Sequence, residues 1–190
     1  MVVYYRITKG LEVERASMVI EIPQHYYIDK ERTWIKIKTS YSKTAVCFTY
    51  FGCSYSDQRH AQWNHDLYGY IQLEVFQLQR EGFRVVIAAD FNGHIGAVKG
   101  YGIPGNKPDM NANGKMLLEF SEQCSLKILN RDNRIDGDES TRIATGLWTR
   151  QRGGVSSVID YVLISAADIG SVVSMEIDET GEWGGGSDHN

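Results

Sequence analysis

Residues 85–96 read VVIAADFNGHIG, the stretch that decides the predicted fold. The run 85–89 is apolar throughout, which is typical of a strand covered on both faces of a sheet. Asp90 follows directly, so we expect its carboxylate at the carboxyl edge of the sheet, where layered folds tend to place ligand sites. Asn92 lies two residues further on and offers a neutral amide to a phosphate oxygen. Taken alone, the motif fits ordinary turn chemistry at the end of a strand better than it fits a site.

The sequence around this stretch predicts strands and helices in alternation. Trp63, Leu67, Ile71, Val75 and Leu78 recur at spacings of three and four residues, which predicts an amphipathic helix over residues 58–80. A second helix is predicted over residues 112–124. Short strands are predicted over residues 2–5, 17–22, 33–38, 45–51, 126–129, 147–149, 158–164 and 172–177. Mixed strands with helices outside them favour a layered α+β sandwich, built as a single domain over residues 1–190.

Composition and charge place the chain among ordinary globular proteins. Apolar residues make up 42% and charged residues 23% of the 190 residues, which argues against a disordered segment. The net charge of −4 argues against tight, non-specific coating of DNA, although a carboxylate site for a metal is itself acidic. The sequence has no apolar run of membrane-helix length, no signal peptide and three scattered cysteines. We therefore expect an intracellular protein, nuclear or cytoplasmic, that is not secreted and does not contact a membrane.

Two further segments carry polar residues that suit chemistry. Asp160 lies in the apolar segment SSVIDYVLIS, residues 156–165, where a carboxylate is costly unless it has a partner. Ser187-Asp188-His189 supplies one, because a carboxylate behind an imidazole fixes its tautomer and raises its basicity. Asp188 can then approach a hard divalent cation, which prefers oxygen ligands. The alternative for residues 187–190 is a disordered polar tail at a chain end.

Together, the three segments supply the parts of a metal-assisted phosphate hydrolysis. In that chemistry a base activates water, a carboxylate steers the base, and a cation and amide donors hold the phosphate. The combination of an Asp-x-Asn, a buried Asp and a late Asp-His favours this function more than any one motif does.

These segments resemble the motifs of one known superfamily. VVIAADFNGHIG resembles the GDFN-type motif of the endonuclease/exonuclease/phosphatase (DNase I-like) superfamily, VIDYVLIS its IDYxL strand, and SDHN its terminal SDH motif. Residues 111–130, NANGKMLLEFSEQCSLKILN, are similar to a segment of retrotransposon-encoded endonucleases. Residues 45–57, AVCFTYFGCSYSD, resemble the family strand that ends in a Tyr-x-Pro turn, with Tyr50 as the tyrosine and Gly52 in place of proline.

The resemblance implies a fold, an activity and a cofactor. The fold would be a four-layer α/β/β/α sandwich, and the activity would be metal-dependent hydrolysis of a phosphodiester. Among the branches of the superfamily, the chain looks most like a DNA endonuclease of the retroelement type. Its cofactor would be Mg²⁺, or Mn²⁺ as a substitute. Its partners would be DNA and a reverse transcriptase domain or another retroelement segment.

The resemblance also implies a role for each site residue. His189 would be the base that activates water or polarises the phosphate, and Asp160 would orient it. Asp90 would handle a proton or contact the metal, and Asp188 would be a metal ligand.

Two phosphate contacts complete the implied site. Asn92 would bind the scissile phosphate, and Tyr50 would add a second contact to the same group.

The chain departs from the family pattern in ways that leave alternatives open. Ala89 replaces the usual Gly before Asp-Phe-Asn. The family's first strands, which bear an Asn and a metal-binding Glu, are not recognised, so we expect a fold incomplete at the N-terminus and without the last strand. The activity of this chain is therefore an open expectation. The alternatives are a phosphatase or phosphodiesterase of the same superfamily that acts on a non-DNA ester, and a catalytically dead retroelement fragment.

Overall fold

The structure, a computed structural model, describes residues 12–16, 32–53, 58–96, 109–130, 144–145, 148–180, 182 and 186–189. The strands predicted over residues 2–5 and 17–22 lie outside these residues. None of the described helices is both long enough and apolar enough to cross a membrane.

A six-stranded mixed sheet is the centre of the fold. Its strands are β1 (Glu12–Ala16), β2 (Arg32–Lys38), β3 (Lys43–Tyr50), β4 (Arg84–Asp90), β5 (Leu126–Ile128) and β9 (Asp160–Ser165). They lie side by side in the order β1-β2-β3-β4-β9-β5. Strands β3 and β4 are parallel, and the other neighbouring pairs in this sheet are antiparallel. Two-stranded ladders join β6 (Ala144–Thr145) to β10 (Met175–Glu176), and β7 (Arg150–Arg152) to β8 (Val155–Ser157).

Two helices cover one face of this sheet. Helix α1 (Gln58–Arg80) connects β3 to β4, and this long crossover allows the two strands to run parallel. Helix α2 (Ala112–Gln123) packs against α1 and β5. The largest cluster of buried side chains lies between these helices and the sheet; its members include Trp34, Cys47, Leu67, Ile87, Leu117 and Leu163.

The opposite face of the sheet is less covered. Val85 and Ile87 are fully buried, whereas Val86 and Ala88 keep partial exposure. A smaller cluster packs on this face around Ile164, and it includes Met175 of β10. Within the described residues, the strand 85–89 is therefore fully buried only on the face under the helices, and the expected cover on its second face is present in part, through the smaller cluster.

Most of the predicted elements are present. The helix over residues 58–80 is confirmed with these bounds, and the second helix ends at Gln123, one residue earlier than predicted. The strands predicted at 33–38, 45–51, 85–89, 126–129 and 158–164 are found within two residues of their predicted ends. The α+β fold is thus confirmed, and the described residues show one helical layer and one continuous sheet of the four predicted layers.

Three parts of the sequence-based prediction are wrong or incomplete. Of the strand expected at 147–149, residue 147 lies outside the described residues, and the observed strand begins at Arg150. Trp148 N donates to the carboxylate of Glu179 rather than to a strand, whereas Thr149 N already donates to Ser157 O of β8. The strand expected at 172–177 is reduced to Met175–Glu176, and Val172 N instead donates to Ile169 O at the end of the 3₁₀ helix Ala166–Ser171. Strands β1, β6 and β8 were not predicted.

A buried ion pair ties α1 to the sheet. Arg32 Nε donates to Glu74 Oε2 at 2.8 Å, and Arg32 Nη2 donates to Glu74 Oε1 at 2.6 Å. Trp34 Nε1 donates to Glu74 Oε2 at 2.8 Å. The side chains of Arg32 and Glu74 are 4% and 0% exposed. Three charge-assisted bonds therefore satisfy a carboxylate that the core would otherwise exclude.

Removal of Glu74 should be strongly destabilising. We expect Glu74→Ala to lower the free energy of unfolding by about 3 to 5 kcal/mol, because Arg32 stays buried without its counter-charge. Glu119→Ala is the matched control: Glu119 forms an exposed pair with Lys115 one turn away. Its loss should cost about 0.5 kcal/mol or less. Urea denaturation of both variants measures the difference, and equal losses would contradict the assignment.

Candidate active site

The register of the sheet brings three predicted site residues into one row. Tyr50 pairs with Asp90 across β3 and β4, and Asp90 pairs with Asp160 across β4 and β9. Side chains of register partners project from the same face of a sheet. The row therefore lies at the end of the face that carries Val86 and Val162, opposite the helices.

His189 joins this row through Asp160. Its Nδ1 lies 3.0 and 3.1 Å from the two carboxylate oxygens of Asp160. A backbone bridge between Arg150 and His189 and a hydrogen bond from Gln151 N to Asp188 O at 2.8 Å hold this segment against β7. Residues 188–189 are thus placed by strand-like pairing rather than left in a free tail.

Thr149 and Asn130 hold the backbone of Asp160. The hydroxyl of Thr149 accepts hydrogen bonds from Ile159 N and Asp160 N, both at 3.0 Å. Asn130 Nδ2 donates to Asp160 O at 2.7 Å, and Asn130 Oδ1 accepts from Val162 N at 2.7 Å. Neither residue was predicted from the sequence, because their partners lie 10 to 32 positions away in the chain.

The carboxylate of Asp188 points to arginine in this structure. Arg150 Nε lies 3.1 Å from Asp188 Oδ2, and Arg152 Nη1 lies 4.0 Å from the same oxygen. Desolvation raises the pKa of Asp188, but the hydrogen bond and the charge of Arg150 together lower it by more. The net shift of the pKa is therefore downward. The structure does not bring Asp188 into contact with Asp90, and its role as a metal ligand stays a prediction.

Burial raises the pKa values of both paired carboxyl groups. Burial is the largest cause for Asp90, the charge of Asp160 is the next, and together they raise the pKa of Asp90 to about 6. Burial also raises the pKa of Asp160, while Thr149 and His189 oppose the shift. Two acidic groups held side by side in this way favour any ligand that brings positive charge.

Asn92 follows the row in a constrained turn. Its φ of 46° lies in the left-handed region, which Asn tolerates better than most residues. Its backbone N–H donates to Asp90 Oδ1 at 2.8 Å, and its Nδ2 donates to Phe51 O at 2.8 Å. The amide is therefore fixed beside the carboxylate row.

Helix α2 approaches this turn very closely. Gly93 and His94 contact the start of the helix, and a Cβ on Gly114 would overlap the carbonyl oxygen of His94. Only glycine fits there without a shift of the backbone.

The row opens into a groove of about 850 Å³. A ligand pocket of this size lies in the usual range for small molecules or for part of a larger one. Its lining includes the site residues Tyr50, Asp90, Asp160 and His189, the apolar residues Phe48, Val162, Met175 and Ile177, and the acidic residues Glu176 and Asp178.

The donor set fits a hard divalent cation. One ligand atom each from Asp90, Asp160 and His189 lies within 4.8 Å of the others. Mg²⁺ is commonly bound by one or two carboxylates, with water and substrate phosphate as its remaining ligands. Burial is the largest cause of the raised pKa of Asp90, and a cation would offset the second cause, the charge of Asp160.

Comparisons with known proteins support the fold. No family model and no curated protein matches the chain. A 3'-5' exonuclease (NExo) from Neisseria meningitidis matches with a TM-score of 0.61 and 14% identity over 95% of this chain and 77% of that chain.

Two other solved structures match with lower scores and carry no argument. The endonuclease domain of TRAS1, a telomere-specific non-LTR retrotransposon, has a TM-score of 0.47 and 14% identity, covering 86% of this chain and 70% of that chain. Truncated Caenorhabditis elegans TDP2 has a TM-score of 0.44 and 14% identity, covering 84% of this chain and 55% of that chain. The similarity to the exonuclease shows that this chain has the DNase I-like fold, as the motifs predict.

Neutralising Asp90 should stabilise the metal-free protein. The folded-state pKa is about 6 against an ordinary 3.8, so the folded state holds an extra proton between these values, and stability falls as pH rises through that window. Asp90→Asn removes this loss and keeps an acceptor for Asn92. We expect a gain of about 1 kcal/mol at pH 7.5, after a discount for the exposed part of the group, and almost none at pH 3.5. Denaturation in EDTA at both pH values measures it, and a gain independent of pH would contradict the shift.

A pair of glycine substitutions tests the close approach of α2. In a helix interior Ala is favoured over Gly by about 1 kcal/mol, so Gly69→Ala in α1, where a Cβ meets nothing within 4 Å, should stabilise the protein. Gly114→Ala should instead destabilise it, because His94 O must move. Melting temperatures of the two variants give the comparison, and a gain in both would show that the turn can shift freely.

Proposed function

We propose that this chain hydrolyses phosphodiester bonds with a divalent cation, and that its substrate is DNA. The observation that carries the proposal is the row of Tyr50, Asp90 and Asp160 with His189 bound to Asp160, at the mouth of a groove. The DNase I-like fold, which this chain shares with a bacterial 3'-5' exonuclease, supports the same chemistry. Mg²⁺ or Mn²⁺ is the proposed cation.

His189 and Asp160 form the proposed acid–base pair. An ionised carboxylate only accepts hydrogen bonds, so its contact with Nδ1 favours the tautomer that carries a proton there. The lone pair is then on Nε2, which can take a proton from water. Asp160 also stabilises the imidazolium that forms, as the carboxylate does in other hydrolytic sites.

Asp90, Asn92 and Tyr50 are the proposed phosphate and metal contacts. Asp90 would hold the cation, and Asp188 is a second proposed ligand whose bond to Arg150 would have to open. The cation, when bound, supplies positive charge to the phosphate in the transition state. The side-chain amide of Asn92 has a second N–H beside the one directed at Phe51, and this N–H would donate a hydrogen bond to a phosphate oxygen. The hydroxyl of the half-exposed Tyr50 would donate a hydrogen bond to the same phosphate.

The retroelement assignment rests on the motif NANG at residues 111–114 and the segment that follows it. Under this proposal the chain nicks DNA, acts together with a reverse transcriptase domain or another retroelement segment, and works inside the cell, in the nucleus or the cytoplasm. Arg150 and Arg152 lie on the hairpin beside the site, where they can meet a nucleic-acid backbone.

A second candidate is hydrolysis of a compact, non-DNA phosphate ester. The groove carries Glu176 and Asp178 beside the carboxylate row, and its wall includes Phe48 and Met175. Acidic groups repel a long polyanion, whereas an apolar wall suits an ester with an organic group.

The decisive assay compares two histidine variants. Nicking of supercoiled plasmid should require Mg²⁺ or Mn²⁺, stop in EDTA, and fall by about 100-fold or more in His189→Ala, because the base is lost. His65→Ala is the matched control, since His65 lies on exposed α1 surface away from the groove, and its activity should be unchanged. Nicking that survives His189→Ala would contradict the proposal.

A parallel assay with soluble phosphate esters separates the two candidates. Hydrolysis of such an ester, without plasmid nicking, by a protein that melts cooperatively would favour the second candidate. No hydrolysis of either substrate by the folded protein would favour a catalytically dead fragment.

A further inference from the structure

We propose that Asn111 and Asn113 are positioning residues, whose side-chain amides hold the turn that presents Asn92. This inference rests on the proposed function, because it assigns Asn92 to the phosphate. Neither residue is placed in contact with substrate. Their role is to fix the backbone of residues 91–94 against helix α2 and against the turn that follows β3.

Asn113 bridges the two turns beside the row. It is fully buried, and its Nδ2 lies 3.0 Å from Gly52 O, 3.0 Å from Phe91 O and 3.4 Å from Asn92 O. Gly52 follows β3 and Phe91 follows β4. One amide group therefore connects the ends of the two parallel strands that carry Tyr50 and Asp90.

Asn64 of α1 supports Asn113 from behind. It is also fully buried, and its Nδ2 donates to Asn113 Oδ1 at 3.0 Å. Its Oδ1 accepts from Gly52 N, and its Nδ2 also contacts Gly52 O, each at 2.8 Å. This contact fixes Gly52 beside Phe51, whose carbonyl oxygen accepts the hydrogen bond from Asn92 Nδ2.

Asn111 links the cap of α2 to the same turn. Its Oδ1 accepts from Gly114 N at 2.7 Å, as an N-cap side chain does, and also from His94 N at 2.9 Å. Its Nδ2 donates to Asn92 O at 3.0 Å. The motif Asn-x-Asn-Gly is thus explained residue by residue: the two amides bind the turn, and the glycine admits its backbone.

These contacts act on Asn92 more than on the carboxylates. Asp90 and Asp160 are placed by the strand register, which the amides do not set. Asn92 lies outside the strand at a φ of 46°, and its carbonyl oxygen accepts hydrogen bonds from Asn111 and Asn113. Loss of Asn111 or Asn113 should therefore let the Asn92 amide move while the row stays in place.

The test uses one variant that keeps the helix cap and one that removes the bridge. Asn111→Asp keeps the acceptor for Gly114 N, because Asp is a good N-cap, but it replaces the donor to Asn92 O by an oxygen. Asn113→Ala removes the bridge between the turns. Ser121→Ala is the matched control: Ser121 is buried on the same helix and bonds to Leu118 O.

Two measurements are made on each variant, with melting curves to show that it folds. The first is kcat and KM for the phosphodiester or ester that the unmodified chain hydrolyses. We expect kcat to fall by about 10- to 100-fold in Asn111→Asp and Asn113→Ala, with KM changed by less than about threefold, because a misplaced contact acts mainly in the transition state. Ser121→Ala should keep its kcat.

The second measurement is independent of catalysis. In ¹⁵N–¹H spectra, the side-chain amide signal of Asn92 should shift and broaden in Asn111→Asp and Asn113→Ala, and stay in place in Ser121→Ala. An unchanged kcat in the two folded variants, or an unchanged Asn92 signal, would overturn the positioning role. If the unmodified chain hydrolyses nothing, the proposed function fails, and the Asn92 signal alone still decides whether the two asparagines hold the turn.

Discussion

The pairing of Asp90 with Asp160 in the sheet register is the constraint on which the site depends. Both carboxyl groups are partly buried, which raises the pKa of each, and the charge of Asp160 raises the pKa of Asp90 further. A protein stabilises such a pair with positive charge or with hydrogen-bond donors. Here His189 binds one carboxylate, and the backbone N–H of Asn92 binds the other. The proposed cation would add positive charge, and Asp90, Asp160 and His189 lie close enough together to hold it.

Neutral amides, rather than charged groups, hold the turn beside this pair. An arginine or lysine at the position of Asn113 would lower the pKa of Asp90 and compete with a cation for it. Asparagine supplies both donors and an acceptor without a net charge. It can therefore satisfy the carbonyl oxygens of Gly52 and Phe91 in a buried place and leave the electrostatics of the row unchanged.

The sequence predicted elements better than it predicted contacts. Helix α1 was found with its bounds because its apolar spacing is local and regular, and the pairing of Asp160 with His189 was expected from the cost of a buried carboxylate. The hairpin β7–β8 was missed, because residues 150–157 carry no apolar alternation. The bond of Asp188 to Arg150 and the contacts of Asn113 join residues 21 to 61 positions apart, and nothing in one sequence specifies such partners.

Stability and chemistry lie on opposite faces of the sheet. The face under the helices contains the main core and the buried pair of Arg32 and Glu74, in which the carboxylate of Glu74 accepts three hydrogen bonds. The other face ends in acidic groups whose ionisation opposes folding. Because β4 contributes alternate residues to both faces, Ile87 binds the strand to the core while Asp90 reaches the groove. The apolar contacts of β4 with the core thus hold the strand in place. They allow the site to keep the carboxylates of Asp90 and Asp160 side by side without loss of the fold.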